Sequence, residues 1–296
     1  MMYRKEPVTS TIQPDENTYV FDQESSVEMA RLIDQDLMIT QHMGGLFPAT
    51  LDLSNVHDIL DIACGPGGWA LEVAFAHPEK RVTGIDISAR MLNYARMRAN
   101  VQGLKNVSFV SMDATEPLKF PDASFDFVNA RTLLGFMWKS AWEPFVKECF
   151  RILRPGGTIR LTESDSGAGI TNSAALEKLN RLAVRAAHRQ GRSFCDDENA
   201  SHIALTPMLR DFLKRAGYSD IREEPHMLNY SYGRYAYSMQ YKNLQIWMKL
   251  IQPFLVKMKV ASQEELDRLY DQMLLDMLRE DFRGVWHFVS AIGRKP

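Results

Sequence analysis

Between residues 58 and 163, five short apolar runs alternate with amphipathic segments, and this alternation limits the possible folds more than any other feature of the chain. The runs are DILDIA (58–63), RVTGID (81–86), VSFVSMD (107–113), FDFVNAR (125–131) and TIRLTE (158–163). They are apolar almost throughout, as strands buried on both faces are. The segments at 66–77, 88–102 and 141–153 carry helical periodicity, the second opening at Ser88 and closing at Gly103. The pattern predicts a doubly wound parallel sheet.

The flanks differ. SSVEMARLIDQDLMITQHMGG reads as a helix with Ser25 and Glu28 at capping-box spacing and an apolar face of Val27, Met29, Leu32, Ile33 and Leu37. Residues 173–190 form another helix, and 206–217 a third with Thr206 as cap and Pro207 at its first position. A strand is expected near 219–224 and a final one at 284–295. Between them, 234–280 holds two more helices, one with Tyr237, Tyr241, Leu244, Met248, Ile251 and Leu255 on a stripe. The chain thus divides into an N-terminal arm and lid helix (1–50), a ligand-binding core (51–170), an inserted cap helix (171–205), a continuation of the core (206–233), a helical cap (234–282) and a final core strand (283–296).

LDIACGPGGWALEVA (60–74) breaks from strand to helix through three glycines. Bare backbone can turn tightly and approach a ligand closely, and the helix N-terminus beyond presents amides to it. Gly65, Gly67 and Ala70 fit the tolerant dinucleotide pattern, with Asp86 21 residues after Gly65. Taken alone, the loop suits NAD as well as another nucleotide. Asp61 ahead of it, however, suits a cationic amino group better than a pyrophosphate. Asp113, ending the third strand, can accept a hydrogen bond from an adenine amine.

In the blocks LDIACGPGG, GIDIS, SMDATEPLKFPDASFDFV and ILRPGG, the chain resembles the class I S-adenosylmethionine-dependent methyltransferases, over roughly residues 57–164. It looks most like the members that methylate small molecules, including quinone-methylating and natural-product enzymes. The family often has glycine where this chain has Ala63. The resemblance implies a Rossmann-like seven-stranded sheet with its last strand antiparallel and the cofactor, S-adenosylmethionine, across the strand C-termini. Carried over, Asp61, Ala63, Gly65 and Gly67 would hold the methionyl part and Asp86 the ribose hydroxyls. Ile87 and Met91 would flank the adenine, Asp113 would face its amine beside Met112 and Ala114, and Asn129 would lie near the methionyl group and the acceptor. Tyr19 is a candidate for a lid over the cofactor.

The implied function is methyl transfer to a small hydrophobic acceptor at carbon, oxygen or nitrogen. Glu163 and His188 are the candidate general bases, and Arg131, Phe136, Tyr237 and Tyr241 the candidate acceptor-pocket residues. Two alternatives stand beside it: a binding module or cyclase that uses the sulfonium without net transfer, and an NAD-dependent oxidoreductase, for which a Tyr-x-x-x-Lys pair after the fourth strand is not seen. No metal is expected, since the seven histidines are scattered without H-x-x-x-H spacing. A net charge of −2 argues against an obligate nucleic-acid partner. The three cysteines, Cys64, Cys149 and Cys195, suggest neither disulfides nor zinc. With no signal-like or membrane-length apolar run, a cytoplasmic protein is the default expectation. The first helix could pack on a neighbouring subunit in a homo-oligomer.

Overall fold

The computed structural model describes residues 25–296, whose alternating segments form one mixed sheet. Strands β1 (Asp58–Ile62), β2 (Arg81–Asp86), β3 (Val107–Ser111), β4 (Phe125–Arg131) and β5 (Leu153–Glu163) run parallel in the order β3-β2-β1-β4-β5. Beyond them β8 (Gly284–Arg294) lies antiparallel to β5, and β7 (Ser219–Asn229) pairs antiparallel with β8. The expected last antiparallel strand is therefore present. A two-residue strand, β6 (Ile170–Thr171), pairs with the start of β8 and makes the sheet eight-stranded rather than seven. Two residues are too few for periodicity to reveal.

Helices α2 (Gly68–Ala76) and α3 (Ala89–Val101) cover one face, burying Trp69, Leu71 and Leu92 against Ile59, Val82 and Phe127. Helix α4 (Trp142–Ile152) and α6 (Leu209–Ala216) cover the other, with Phe145, Val146 and Leu213 against Leu60, Val128 and Ile159. A third core joins α1 (Ser26–His42), α5 (Ala174–Arg189), α7 (Tyr237–Leu250), α8 (Gln252–Lys257) and α9 (Gln263–Met277) to Trp286 and Phe288 of β8. Ser25, Ser88, Ser173 and Ser262 each accept the backbone N–H three residues on, at 3.1–3.3 Å. Each such cap is worth about 1 kcal/mol.

Three local expectations change. The inward side of α1 is not the predicted apolar stripe, because Val27 and Leu37 face outward while Glu28, Arg31, Met38, Ile39 and Thr40 are buried. Arg31 pairs bidentately with Glu28 at 2.7 Å and reaches Asn243 of α7 at 2.9 Å, so a buried polar network joins the two helices. The 206–217 helix opens as a 3-10 turn, and the Thr206 hydroxyl donates to Asp165 instead of capping. The fifth strand, expected at 158–163, already begins at Leu153, so Pro155, Gly156 and Gly157 lie within β5 as an irregularity, with a register shift between Phe125 and Phe127 of β4 and Gly156 at φ +83°.

Candidate functional site

Strand order reverses between β1 and β4, and such a switch point opens a crevice at the strand C-termini. The glycine loop follows β1 there. Ala63, Gly65 and Gly67 all have left-handed backbone, at φ 54°, 52° and 77°. Gly65 N–H donates to Asp86 Oδ2 and Ser88 N–H to Asp86 Oδ1, both at 2.9 Å, so the end of β2 fixes the loop. Burial pushes the Asp86 carboxyl up, against the pull of these backbone donors.

The crevice holds about 1100 Å³ including its open mouth, enough for a ligand of nucleoside-plus-amino-acid size. Asp61, Ala63 and Gly65 line its floor; Asp86, Ile87 and Met91 one side; Met112, Asp113 and Ala114 the far end. Asp113 Oδ1 accepts from the Thr115 amide and hydroxyl at 2.8 and 2.7 Å. Helix α1 roofs the crevice with Leu32, Gln35, Asp36 and Ile39. Arg131, the last residue of β4, forms an ion pair with Asp36 and donates to Thr40 Oγ1 at 2.9 Å, pinning the roof to the sheet. Asp61 is pushed up to about 7, chiefly by burial, while Arg131, the Asn129 amide and Arg160 oppose the shift.

A second cavity adjoins the first and shares Leu32, Gln35 and Thr132 with it. Trp247, Ile251 and Phe254 of the cap and Trp286 of β8 give it apolar walls. Arg31, Asn180, Arg192 and Asn243 supply polar groups. Asp165, also on its wall, accepts from the Leu205 and Thr206 amides through Oδ1 and from the Thr206 hydroxyl through Oδ2.

Nine of the residues expected at a cofactor meet in the first crevice: Asp61, Ala63, Gly65, Asp86, Ile87, Met91, Met112, Asp113 and Ala114. Others are placed elsewhere. Gly67 lies behind the loop, where a Cβ would sit 2.8 Å from Ala95 and 2.9 Å from Phe109; its role there is close packing. Asn129 is wholly buried behind Asp61, donating to it at 2.8 Å, and does not line either cavity. Arg131 and Phe136 line the first crevice rather than the second.

Glu163, expected as a general base, lines neither cavity. It is 1% exposed, and its Oε1 accepts the Leu133 amide at 2.6 Å, holding the 3-10 turn Leu133–Gly135. Burial pushes it up to about 8. His188 sits in the last turn of α5, off both cavities. Tyr237 and Tyr241 pack inside the cap, Tyr237 donating to the Met277 carbonyl at 2.9 Å, and line neither cavity. The cavity-facing residues of α7 are Asn243 and Trp247. Tyr19 lies outside the described residues. Asp36, Arg31 and Arg192 were not expected at the site. Counting cannot find them, because each arrives from a segment distant in sequence. Among the described residues, no group of three or more His, Cys, Asp or Glu could hold a metal, and no helix is long and apolar enough to cross a membrane.

Comparison with known proteins agrees with this geometry. Residues 59–157 match the methyltransferase domain family. The chain is 35% identical over 105 residues to the demethylmenaquinone methyltransferase of Listeria monocytogenes, covering 34% of this chain and 42% of that protein. It is 37% identical over 101 residues to the enzyme of that name from Geobacillus kaustophilus, covering 33% and 41%. The match thus spans about two fifths of the length of these relatives. In fold, the YcgJ protein of Bacillus subtilis superposes with a TM-score of 0.51 at 17% identity, over 88% of this chain and 97% of its own. Haemonchus contortus phosphoethanolamine N-methyltransferase 2 gives 0.51 at 19%, over 91% and 57%. Over residues 59–157 the chain is thus similar to the methyltransferase domain family, within a fold of the class I kind.

Proposed function

We propose that the chain transfers a methyl group from S-adenosylmethionine to a small, hydrophobic, ring-bearing acceptor. The observation that carries this reading is the junction of the two cavities at Leu32, Gln35 and Thr132. A donor in the first crevice would there meet an acceptor in the second. The aromatic and aliphatic walls of the second cavity favour a flat apolar body, and its guanidinium and amide groups favour an oxygen or other hydrogen-bond acceptor on that body. The name of the relatives, demethylmenaquinone methyltransferase, supports a ring-bearing acceptor of quinone type. A natural-product acceptor of the same chemistry would fit the same walls.

Bound S-adenosylmethionine supplies a methyl group on a sulfonium, an electrophile that needs no further activation. The chain's task is then alignment and exclusion of water. Asp113 Oδ2, not engaged by another described residue, faces an adenine amine in this reading, and the Asp86 carboxylate the ribose hydroxyls. Asp61 meets the methionyl ammonium. Helix α1, held by Asp36 and Arg131, closes the roof over both cavities.

Calorimetric titration with S-adenosylmethionine and with NAD tests the cofactor. The sulfonium ligand binds and NAD does not; binding of NAD alone refutes the reading. Asp86→Ala should weaken S-adenosylmethionine binding by about tenfold or more, the worth of a lost charge-assisted hydrogen bond. Transfer itself is read with a radiolabelled methyl group and a panel of phenols, quinols and amines. Tight binding with persistent absence of label would favour a binding module or cyclase.

A further inference from the structure

Arg160 is a cation on β5, between parallel β4 and antiparallel β8, 2% exposed, and it forms no ion pair within 4.0 Å among the described residues. Burying a guanidinium is costly unless it is put to use. Strands β1, β4 and β5 place Asp61, Asn129 and Arg160 side by side, Asp61 opposite Asn129 and Asn129 opposite Arg160. Arg160 Nε donates to Asn129 Oδ1 at 2.9 Å, and Asn129 Nδ2 donates to Asp61 Oδ1 at 2.8 Å. The guanidinium lies over Trp69 at 5.5 Å and Phe127 at 5.8 Å, and its Nη2 has no hydrogen-bond partner among the described residues. Its one side-chain hydrogen bond among the described residues therefore leads to Asp61, with the Glu224 carboxylate of β7 acting on it only at a distance.

Arginine donates and never accepts, so Asn129 must turn its oxygen to Arg160 and its NH2 group to Asp61. A donor at that position suits an ionised carboxylate. A protonated Asp61 would accept from the same NH2 group only through its carbonyl oxygen and as a weaker neutral bond, and with the amide held this way round Asn129 offers its O–H no acceptor, so the fixed donor favours the ionised form. We propose that Arg160 is a positioning residue for the cofactor: acting through Asn129, it holds Asp61 as a pocket-facing carboxylate ready for an ammonium group. The proposal rests on the reading of Asp61 as partner of the methionyl ammonium.

The charges around Asp61 fit this role. Burial pushes it up; Arg131 of β4 and Arg160 of β5 draw it down, and Asp36 of α1 pushes it further up. Asp86 of β2 and Cys64 of the loop complete the surroundings, the thiol held neutral by burial and by the carboxylates of Asp86, Asp61 and Asp36. From α2, Glu72 faces Asp36 and Arg131, and Trp69 brings no charge. Arg160, lowered by burial to about 9, keeps its proton at neutral pH.

The test is the pH dependence of S-adenosylmethionine binding, followed by calorimetry from about pH 5.5 to about 7.5, below the range where an α-amino group titrates. The wild type loses affinity as pH falls through the Asp61 value. In Arg160→Gln, whose side chain can donate or accept, that acid limb moves up by about one pH unit, about tenfold in affinity on the limb. Arg160→Lys, which can only donate, restores it. Binding of 5′-methylthioadenosine, which has no methionyl amine, stays as in the wild type. Asn129→Ser breaks the link with Arg160 in place and should reproduce the shift, so it carries the test if Arg160→Gln does not fold. An unmoved limb in both variants, or equal losses for the two ligands, overturns the proposal. An Asp61→Asn variant with wild-type affinity and limb would instead overturn the assignment of Asp61 itself.

Discussion

A carboxyl at the C-terminal end of a parallel strand ordinarily points into the ligand crevice, but Glu163 turns aside and holds the backbone of the next loop. Its proton has a measurable consequence. The folded chain holds the carboxyl at about 8, against the ordinary 4.5 of the unfolded chain. Between those values only the folded state is protonated, so this stabilising contribution is full below about pH 4.5 and lost as pH rises through about 8. Thermal unfolding of Glu163→Gln from mildly acidic to alkaline pH should show the variant gaining on the wild type as pH rises, with methyl transfer retained. Loss of transfer at unchanged stability would restore Glu163 to the catalytic group. The two kinds of strand-end acid differ in what could be read in advance. Asp61 and Asp86 reach the crevice because the loop after β1 folds between them, and that loop was marked by its glycines. The direction of Glu163 depends on a 3-10 turn at Leu133 that no residue pattern announced.

Elements with strong periodicity or caps were legible, and their phases were less so. Strands β1 to β5 and helices α2 to α4 follow from alternation because both faces of the sheet are covered. Helix α7 was equally visible, yet its period fixes only which residues share a face. The stripe through Leu244 and Met248 packs into the cap core, and the neighbouring face, with Asn243 and Trp247, lines the second cavity. In α1 the buried side carries Glu28 and Arg31, which a hydrophobic stripe cannot locate. The link between the glycine loop and α2 is the most constrained join. Gly67 is the N-cap of α2 in left-handed conformation, and a Cβ there meets Ala95 and Phe109. Gly67→Ala should therefore cost about 2 kcal/mol or more in chemical denaturation, combining backbone strain with overpacking. A loss below about 0.5 kcal/mol, the size of an ordinary surface change, would show that the loop relaxes at no cost.

Across the whole molecule, the parallel sheet supplies one crevice and the cap supplies the other, and α1 roofs both. The core crevice was foreseeable because strand order and loop chemistry are local in sequence. The second cavity draws on α1, α5, α7, α8 and β8, and its shape comes from contacts between distant segments. A methyl donor in the first crevice is expected to point its sulfur through the shared wall of Leu32, Gln35 and Thr132. A crystal structure with bound S-adenosylhomocysteine tests this most directly. The expected result is adenine beside Asp113, ribose on Asp86, the methionyl amine at Asp61 and the sulfur facing the second cavity. The same ligand seated with its sulfur turned away from that cavity, or outside the crevice altogether, would contradict it.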